Sequence, residues 1–448
     1  MTVALIVYLV LLIVIAVRSA RRVKGVPDFF VARKGASARA VAGSLVATIL
    51  GGSAVIGAVD SGARLGGAAS WFMLVGALGL LALIPFAGRA YSHGKYALPD
   101  LVENLYGKGP RLVASVVIPI AWTGIVAAQI IAAAKLLMTF TPMGYTTAAI
   151  VAAAVFTGYT LAGGQLSILR TDFFQACLII AGLLVVAGFA LFGGAHGFAA
   201  SPLGGDSAPA FPFNTNFSPL DLFLLVLTYG TTYTAGPDIF SRMFCAKDVA
   251  TAKKGIAYAA CTLIPVAFVI GFLAVYGAGL GDVSGARITA IADKVLPPAL
   301  IPLFALALLS VVLSSADTTL LSSSVIICGL FGMEKRPEGV ARARVVILVN
   351  GIVALLLALV FTDIIGTLLL ALAVYAGAFT VPVLWGLLGL RARPKFVAAA
   401  IVAGGALALA GKLCPALPGT LGAHTGDILM IAAFVVNAII LAIGRVSK

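Results

Sequence analysis

The chain has 448 residues, of which 61% are apolar and only 10% charged, with a mean hydropathy of +1.13 and a net charge of +14. Water-soluble domains carry roughly 25% charged residues, so an ordinary soluble globular domain is excluded. A bilayer-crossing helix needs about 20 mostly apolar residues, and runs of that size recur almost from end to end. A porin-like barrel is excluded as well, because its strands alternate over about 10 residues.

The first apolar run covers 1–17. No basic residue precedes it, and Arg18, Arg21, Arg22 and Lys24 follow it in place of a small-residue cleavage site. It reads as a retained span with its N-terminus outside. Twelve further spans are predicted at 40–60, 70–89, 111–137, 146–163, 172–193, 220–243, 254–280, 299–330, 341–361, 363–389, 396–413 and 426–444. Helix is the assignment throughout, since backbone in lipid must satisfy its own hydrogen bonds. The fold class is therefore an all-α polytopic membrane protein of about 13 helices. The longest loop, Gly194 to Pro219, is rich in Gly, Pro, Ser and Asn and has no basic residue.

Orientation follows from Lys and Arg. With the N-terminus outside and the C-terminus inside, 25 of the 30 basic residues fall in or beside inner loops. One miscounted span would scramble that distribution. The same loops account for the basic charge, and no basic face with interleaved aromatics suggests nucleic acid. Cys177, Cys245, Cys261, Cys328 and Cys414 are widely spaced, mostly within apolar runs, and read as small buried apolar residues.

Two spans carry interruptions. The second has Gly51-Gly52 at mid-depth and Gly57 just beyond; the seventh has Gly230 in its middle, then Gly236-Pro237. Glycine costs about 1 kcal/mol in a helix and proline about 3. Broken spans at matching positions, five spans apart, fit an inverted-repeat transporter; glycines that let helices pack closely are the other account. The repeats would be 40–194 and 220–389. Residues 1–39 would be an added helix and basic loop, 195–219 an external loop, and 390–448 two further helices.

The ninth span holds eight hydroxyls and a carboxylate between Leu309 and Ser324. Such a helix belongs inside the bundle. Hydroxyls in a helix bond back to carbonyls three or four residues earlier, so Ser314 and Ser315 both lie near the carbonyl of Val311. Three oxygens converge there. That is half a shell for a hard cation, or a helix–helix hydrogen-bonding seam. Asp317, deeper in the span, needs a partner, either an ion or a polar neighbour. Asp172 is placed at an inner helix start, where backbone amides stabilise a carboxylate; capping and cation tuning both fit. Asp60 and Arg64, spaced i, i+4, read as a helix-surface ion pair, with a substrate role the other account. Glu103, in the 100–106 loop, has no nucleophile–base partner or HExxH motif beside it, so no enzyme is expected.

The sequence resembles the sodium:solute symporters, relatives of bacterial proline and sialic acid symporters and of sodium–glucose transporters. The resemblance runs through Asp28-Phe29-Phe30-Val31-Ala32-Arg33, Ser44 to Leu50 with Ile56-Gly57, and Gly163-Gly164 with Arg170-Thr171-Asp172 and Gln175. It continues in Gly236-Pro237-Asp238 with Ser241-Arg242 and Ala246-Lys247-Asp248, and ends in Ser314-Ser315-Ala316-Asp317. It implies a LeuT-type five-plus-five inverted repeat with an added N-terminal helix. It implies a sodium (Na⁺) site of the carbonyls of Ala47, Leu50 and Val311 with the hydroxyls of Ser314 and Ser315. Asp172 and Asp317 would lie near it, and in some members the Asp172 position belongs to a second sodium site. A solute site between the broken helices would use Ser53, Gln129, Tyr229, Thr232 and Tyr233. Where sugar-transporting members carry polar amide and acid side chains, this chain has Ser53-Ala54, and Thr232 replaces the expected aromatic gate, so a sugar is not the expected solute.

The function expected is sodium-coupled import of a small polar organic solute across the inner membrane, by alternating access. Proton coupling through Asp172 or Asp317 is the same-class alternative. A transporter-like solute sensor is the other, although no signalling segment follows the last span up to Lys448.

Overall fold

The computed structural model describes residues 2–192, 211–281, 283, 285–336, 338–413 and 425–446. The described residues are almost wholly helical, with three isolated β-bridges. Among them, nine helices are long and apolar enough to cross a bilayer, and a bent pair makes a tenth candidate. The nine include Lys108–Phe140, Val249–Ala278, Ile301–Leu330 and Gly339–Val360. Large apolar side chains on the outside, such as Ile120 at 70% and Val360 at 74% exposure, form the surface that a bilayer would cover. This is a multi-pass membrane protein.

The first apolar run is the helix Thr2–Ala20. The bent pair is Ala38–Ile49 with Ser53–Asp60, inclined at 55° across Leu50, Gly51 and Gly52. The glycine pair thus breaks the helix as its sequence suggested. The second interruption is divided. A π-turn covers Val226–Gly230, and the helix ends only at Gly236, whose ψ of 140° turns the chain before Pro237–Cys245 begins.

Tyr145–Leu191 carries 47 helical residues, with one non-helical residue, Gly164, at φ 54° and ψ −150°. At 1.5 Å per residue a straight helix of that length would reach about 70 Å, more than twice the roughly 30 Å hydrocarbon core. The chain instead folds back at Gly164. The Tyr159 hydroxyl meets Ser167 Oγ at 3.1 Å and also Thr171 Oγ1; in a straight helix residues 159 and 171 would stand about 18 Å apart. The glycine is required: a Cβ there would lie 2.6 Å from the Phe29 carbonyl oxygen, and that backbone geometry is open essentially to glycine alone. The turn lies eight residues before Asp172, so Asp172 is well inside a helix rather than at its start.

Ile301–Leu330 is the central helix, with 83% of its most apolar stretch buried, against 28% for the peripheral Thr425–Ile443. It packs on Lys108–Phe140, Tyr145–Leu191 and Ala38–Ile49. Its hydroxyls explain this position, since each needs a partner that lipid lacks. Pro394–Leu413 and Thr425–Ile443 pair with each other and lean on Ile364–Leu387.

Several local expectations are corrected. Asp60 does not pair with Arg64; its carboxylate accepts from the backbone N–H of Arg287 at 2.7 Å. Glu103 lies on a helix, Leu98–Tyr106, not in a loop, and binds Arg111. Cys245 and Cys328 are buried, but Cys177 and Cys261 face outward; thiols behave as small apolar groups and suit a lipid-facing surface equally. Cys414 and most of the 195–219 loop lie outside the described residues.

Candidate functional site: the helix break and the buried polar core

The Ala38–Ile49 helix stops where Leu50 closes it, its N–H bonding the Val46 carbonyl at 2.9 Å. The last carbonyls of a helix have no intrahelical donor. Two of those near the break are met by the central helix. Ser314 donates to the Ala47 carbonyl at 2.9 Å, and Ser315 to the Thr48 carbonyl at 2.9 Å. Ser314 Oγ also lies 2.8 Å from the Ser310 carbonyl and 3.4 Å from that of Val311. A hydroxyl has one proton, so it cannot serve three carbonyls together. The cluster is rich in oxygen and short of positive charge, the donor set a hard cation takes. Gly51 permits the approach, since a Cβ there would fall 2.6 Å from Ser315 Oγ.

Ala47, Val311, Ser314 and Ser315 are thus brought together. Leu50 is not part of that contact: the carbonyl that Ser315 meets belongs to Thr48, two residues earlier. Among the described residues no three His, Cys, Asp or Glu side chains converge as a metal cluster.

Beneath this break lies a fully buried charged layer. Asp172 Oδ2 accepts from Ser44 and stands 4.0 Å from the guanidinium of Arg242, both side chains being 0% exposed. Arg242 has the look of an inner-loop charge in the sequence; it is instead inside the bundle. Its Nε donates to Ser44 Oγ at 3.2 Å, its Nη1 to Ser241 Oγ at 2.8 Å and to the Asp238 carbonyl at 3.2 Å, and its Nη2 to Thr318 Oγ1. Asp317 is buried beside this layer, within electrostatic reach of Asp172 and Arg242. Its carboxylate lies against the adjoining Thr318, and among the described residues neither oxygen makes a hydrogen bond of normal geometry.

At the break itself is a cavity of about 50 Å³, lined by Thr48 and Ile49 before it and Ser53 after it. Ser53, Gln129, Tyr229, Thr232 and Tyr233 all line it, as do Ser315 and Thr319. Ligand pockets usually measure roughly 300–1,000 Å³, so this one is smaller than a usual ligand pocket. Gln129 Oε1 accepts from the Gly52 N–H at 3.4 Å, tying the broken helix to Lys108–Phe140. Tyr229 and Tyr233 pack edge to face, with ring centroids 5.1 Å apart. Other lining residues are not singled out for this role by the sequence, among them Trp122, which reads as an ordinary apolar position, and Asp238, known there only as part of the Gly236-Pro237-Asp238 string.

A profile of the sodium:solute symporter family matches residues 29–396. The chain belongs to the sodium:solute symporter family. A sodium/proline symporter of Haemophilus influenzae is 28% identical over 240 residues, which is 50% of this chain and 45% of that relative. The match therefore spans about half of each. Among solved structures, a Na⁺-coupled sialic acid symporter in a substrate-bound, outward-open state superposes with a TM-score of 0.79 at 19% identity, covering 100% of this chain and 98% of that one. A nucleobase-cation-symport-1 family transporter, closed with bromovinylhydantoin bound, gives 0.59 at 16% identity over 92% and 94%. A manganese transporter of Eremococcus coleocola gives 0.51 at 16% over 91% and 86%. The family and these structural neighbours are transporters, not enzymes.

Proposed function

We propose that the protein is a sodium-coupled symporter that brings a small polar organic solute into the cell across the inner membrane. The observation that carries this reading is the meeting of Ser314 and Ser315 with the Ala47 and Thr48 carbonyls at the break of the first core helix. Sodium takes the place of the missing protons among those oxygens. The Val311 carbonyl completes the set, and Leu50 enters it when the break opens. The solute sits in the adjoining cavity, against Ser53, Gln129, Tyr229, Thr232 and Tyr233. Ser315 borders both sites, so occupancy of one is felt directly at the other.

The architecture we infer is the LeuT-type pair of inverted repeats, 40–194 and 220–389, within thirteen spans, the N-terminus outside and the C-terminus inside. Alternating access then exposes the cavity to each side in turn. The energetics suffice. One charge crossing 100 mV supplies about 2.3 kcal/mol, and a tenfold sodium gradient adds roughly 1.4 kcal/mol.

The test is uptake by the purified protein in proteoliposomes, across labelled amino acids, amines, carboxylates and sugars, under imposed sodium or proton gradients. Uptake driven by sodium and indifferent to a protonophore is expected. Uptake driven only by the proton gradient would transfer the coupling role to Asp172 or Asp317.

A further inference from the structure

We infer that Asp238 is the solute-binding carboxylate of the central cavity, and that the transported solute carries a protonated or quaternary amine. The inference rests on reading that cavity as the solute site.

Among the described residues, Asp238 is the one acidic side chain lining the cavity, and no Lys, Arg or His lines it. Its carboxylate makes no ion pair among those residues. The nearby cation, Arg242, is committed elsewhere. Its Nη1 bonds the backbone carbonyl of Asp238, not the carboxylate, and its remaining donors go to Ser241, Ser44 and Thr318 or face Asp172. What the carboxylate has for itself is the first N–H groups of the Pro237–Cys245 helix.

The rest of the lining suits an organic cation. Trp122, Tyr229 and Tyr233 present aromatic groups to the same space, and aromatic faces attract ammonium groups. Trp122 is 1% exposed, and its Nε1–H has no acceptor among the described residues, which leaves a donor for a solute oxygen.

Two matched pairs of probes test this on the purified full-length protein. One is choline against its uncharged isostere, in which carbon replaces the quaternary nitrogen. The other is L-alanine against L-lactate, in which a hydroxyl replaces the ammonium group. Binding is read by thermal stabilisation in sodium, and transport by sodium-driven uptake in proteoliposomes. The amine of at least one pair should bind tenfold or more tightly than its partner. Asp238→Asn should abolish that preference while keeping the stabilisation by sodium alone, and Asp238→Glu should retain part of it. If neither amine binds, if the uncharged or anionic partners are preferred, or if Asp238→Asn behaves as wild type, the inference is overturned. The preference within the wild type stands as a test even where a variant does not fold. Loss of sodium stabilisation in the wild type is a different failure; it overturns the symporter reading itself.

Discussion

Arg242 and Asp172 face each other at 4.0 Å with neither side chain exposed, and Ser44 bonds to both. Three separate segments thus meet on one ionic contact: the first half of the broken helix, the arm after Gly164, and the short Pro237–Cys245 helix. The two helix breaks are thereby tied together from below. The carboxylate also keeps one oxygen, Oδ1, without any hydrogen bond among the described residues. A pair held this way fixes these segments relative to one another while leaving a site for positive charge at its edge.

Removing one partner of a buried pair costs roughly 3–5 kcal/mol, because the other is left charged and alone. Arg242→Met should therefore unfold or strongly destabilise the protein. Asp172→Asn should be milder, since the amide keeps an acceptor for Ser44. The double variant should be more stable than the sum of the single effects predicts. Thermal unfolding of the four proteins in detergent measures the coupling; strict additivity would mean that the 4.0 Å contact is not an interaction.

Sodium activation of transport tests the upper cluster. Ser314→Ala and Ser315→Ala each remove one hydroxyl oxygen. A hydrogen bond to a charged group is worth roughly 1.5–3 kcal/mol, so each variant should need about ten- to a hundredfold more sodium for half-maximal uptake. Solute affinity should fall with it, because coupling between two ligands is reciprocal. Thr262→Ala is a suitable control, since among the described residues its exposed hydroxyl bonds only the Tyr258 carbonyl of its own helix. Ser322, farther along the central helix, is not, because it touches Ser241 beside Arg242. Wild-type sodium activation in both serine variants would reduce the cluster to helix packing.

Much of this site was legible because it follows from local rules. The Ser314-Ser315 pair, the Gly51-Gly52 break and the polar positions near the second break are each readable within one span, and most of the cavity's polar lining comes from them. What was not legible depends on distant partners. Arg242 has the sequence setting of a loop charge; only Ser44, Asp172 and Thr318, brought from three other segments, make its burial tolerable. Asp172 looks like a helix cap because the run of apolar residues resumes near it, whereas the chain turns at Gly164, where backbone geometry and not hydropathy decides. That Ser315 meets the Thr48 carbonyl was not legible either, because the residue at which a helix stops is set by packing.

Topology follows from the distribution of basic residues and is open to labelling. Thr215, in the loop before Pro219–Leu225, is expected outside, and Lys335, after the central helix, inside. Cysteines introduced there, in a background lacking all five native cysteines, should react with a membrane-impermeant maleimide from opposite faces of the membrane. Reaction of both from the same face would mean an error in the number of spans between them.

The turn at Gly164 makes the sharpest structural prediction. It occupies a backbone region closed to other residues, and it faces the Phe29 carbonyl and ring so closely that a Cβ would fall 2.6–2.8 Å from them. Holding a side chain in such geometry costs on the order of 1–3 kcal/mol before any clash is counted. Gly164→Ala must therefore push away the Val26–Val31 helix or shift the turn. A shifted turn carries Asp172 with it and loosens its contacts to Ser44 and Arg242. The expected result is a lowered unfolding temperature together with weakened sodium stabilisation. Gly158→Ala, in the same long helix, should leave both unchanged, since an added Cβ there would meet nothing within 4 Å. If Gly164→Ala matches the wild type in both readings, the chain does not fold back at this residue, and the placement of Asp172 in the buried layer falls with it.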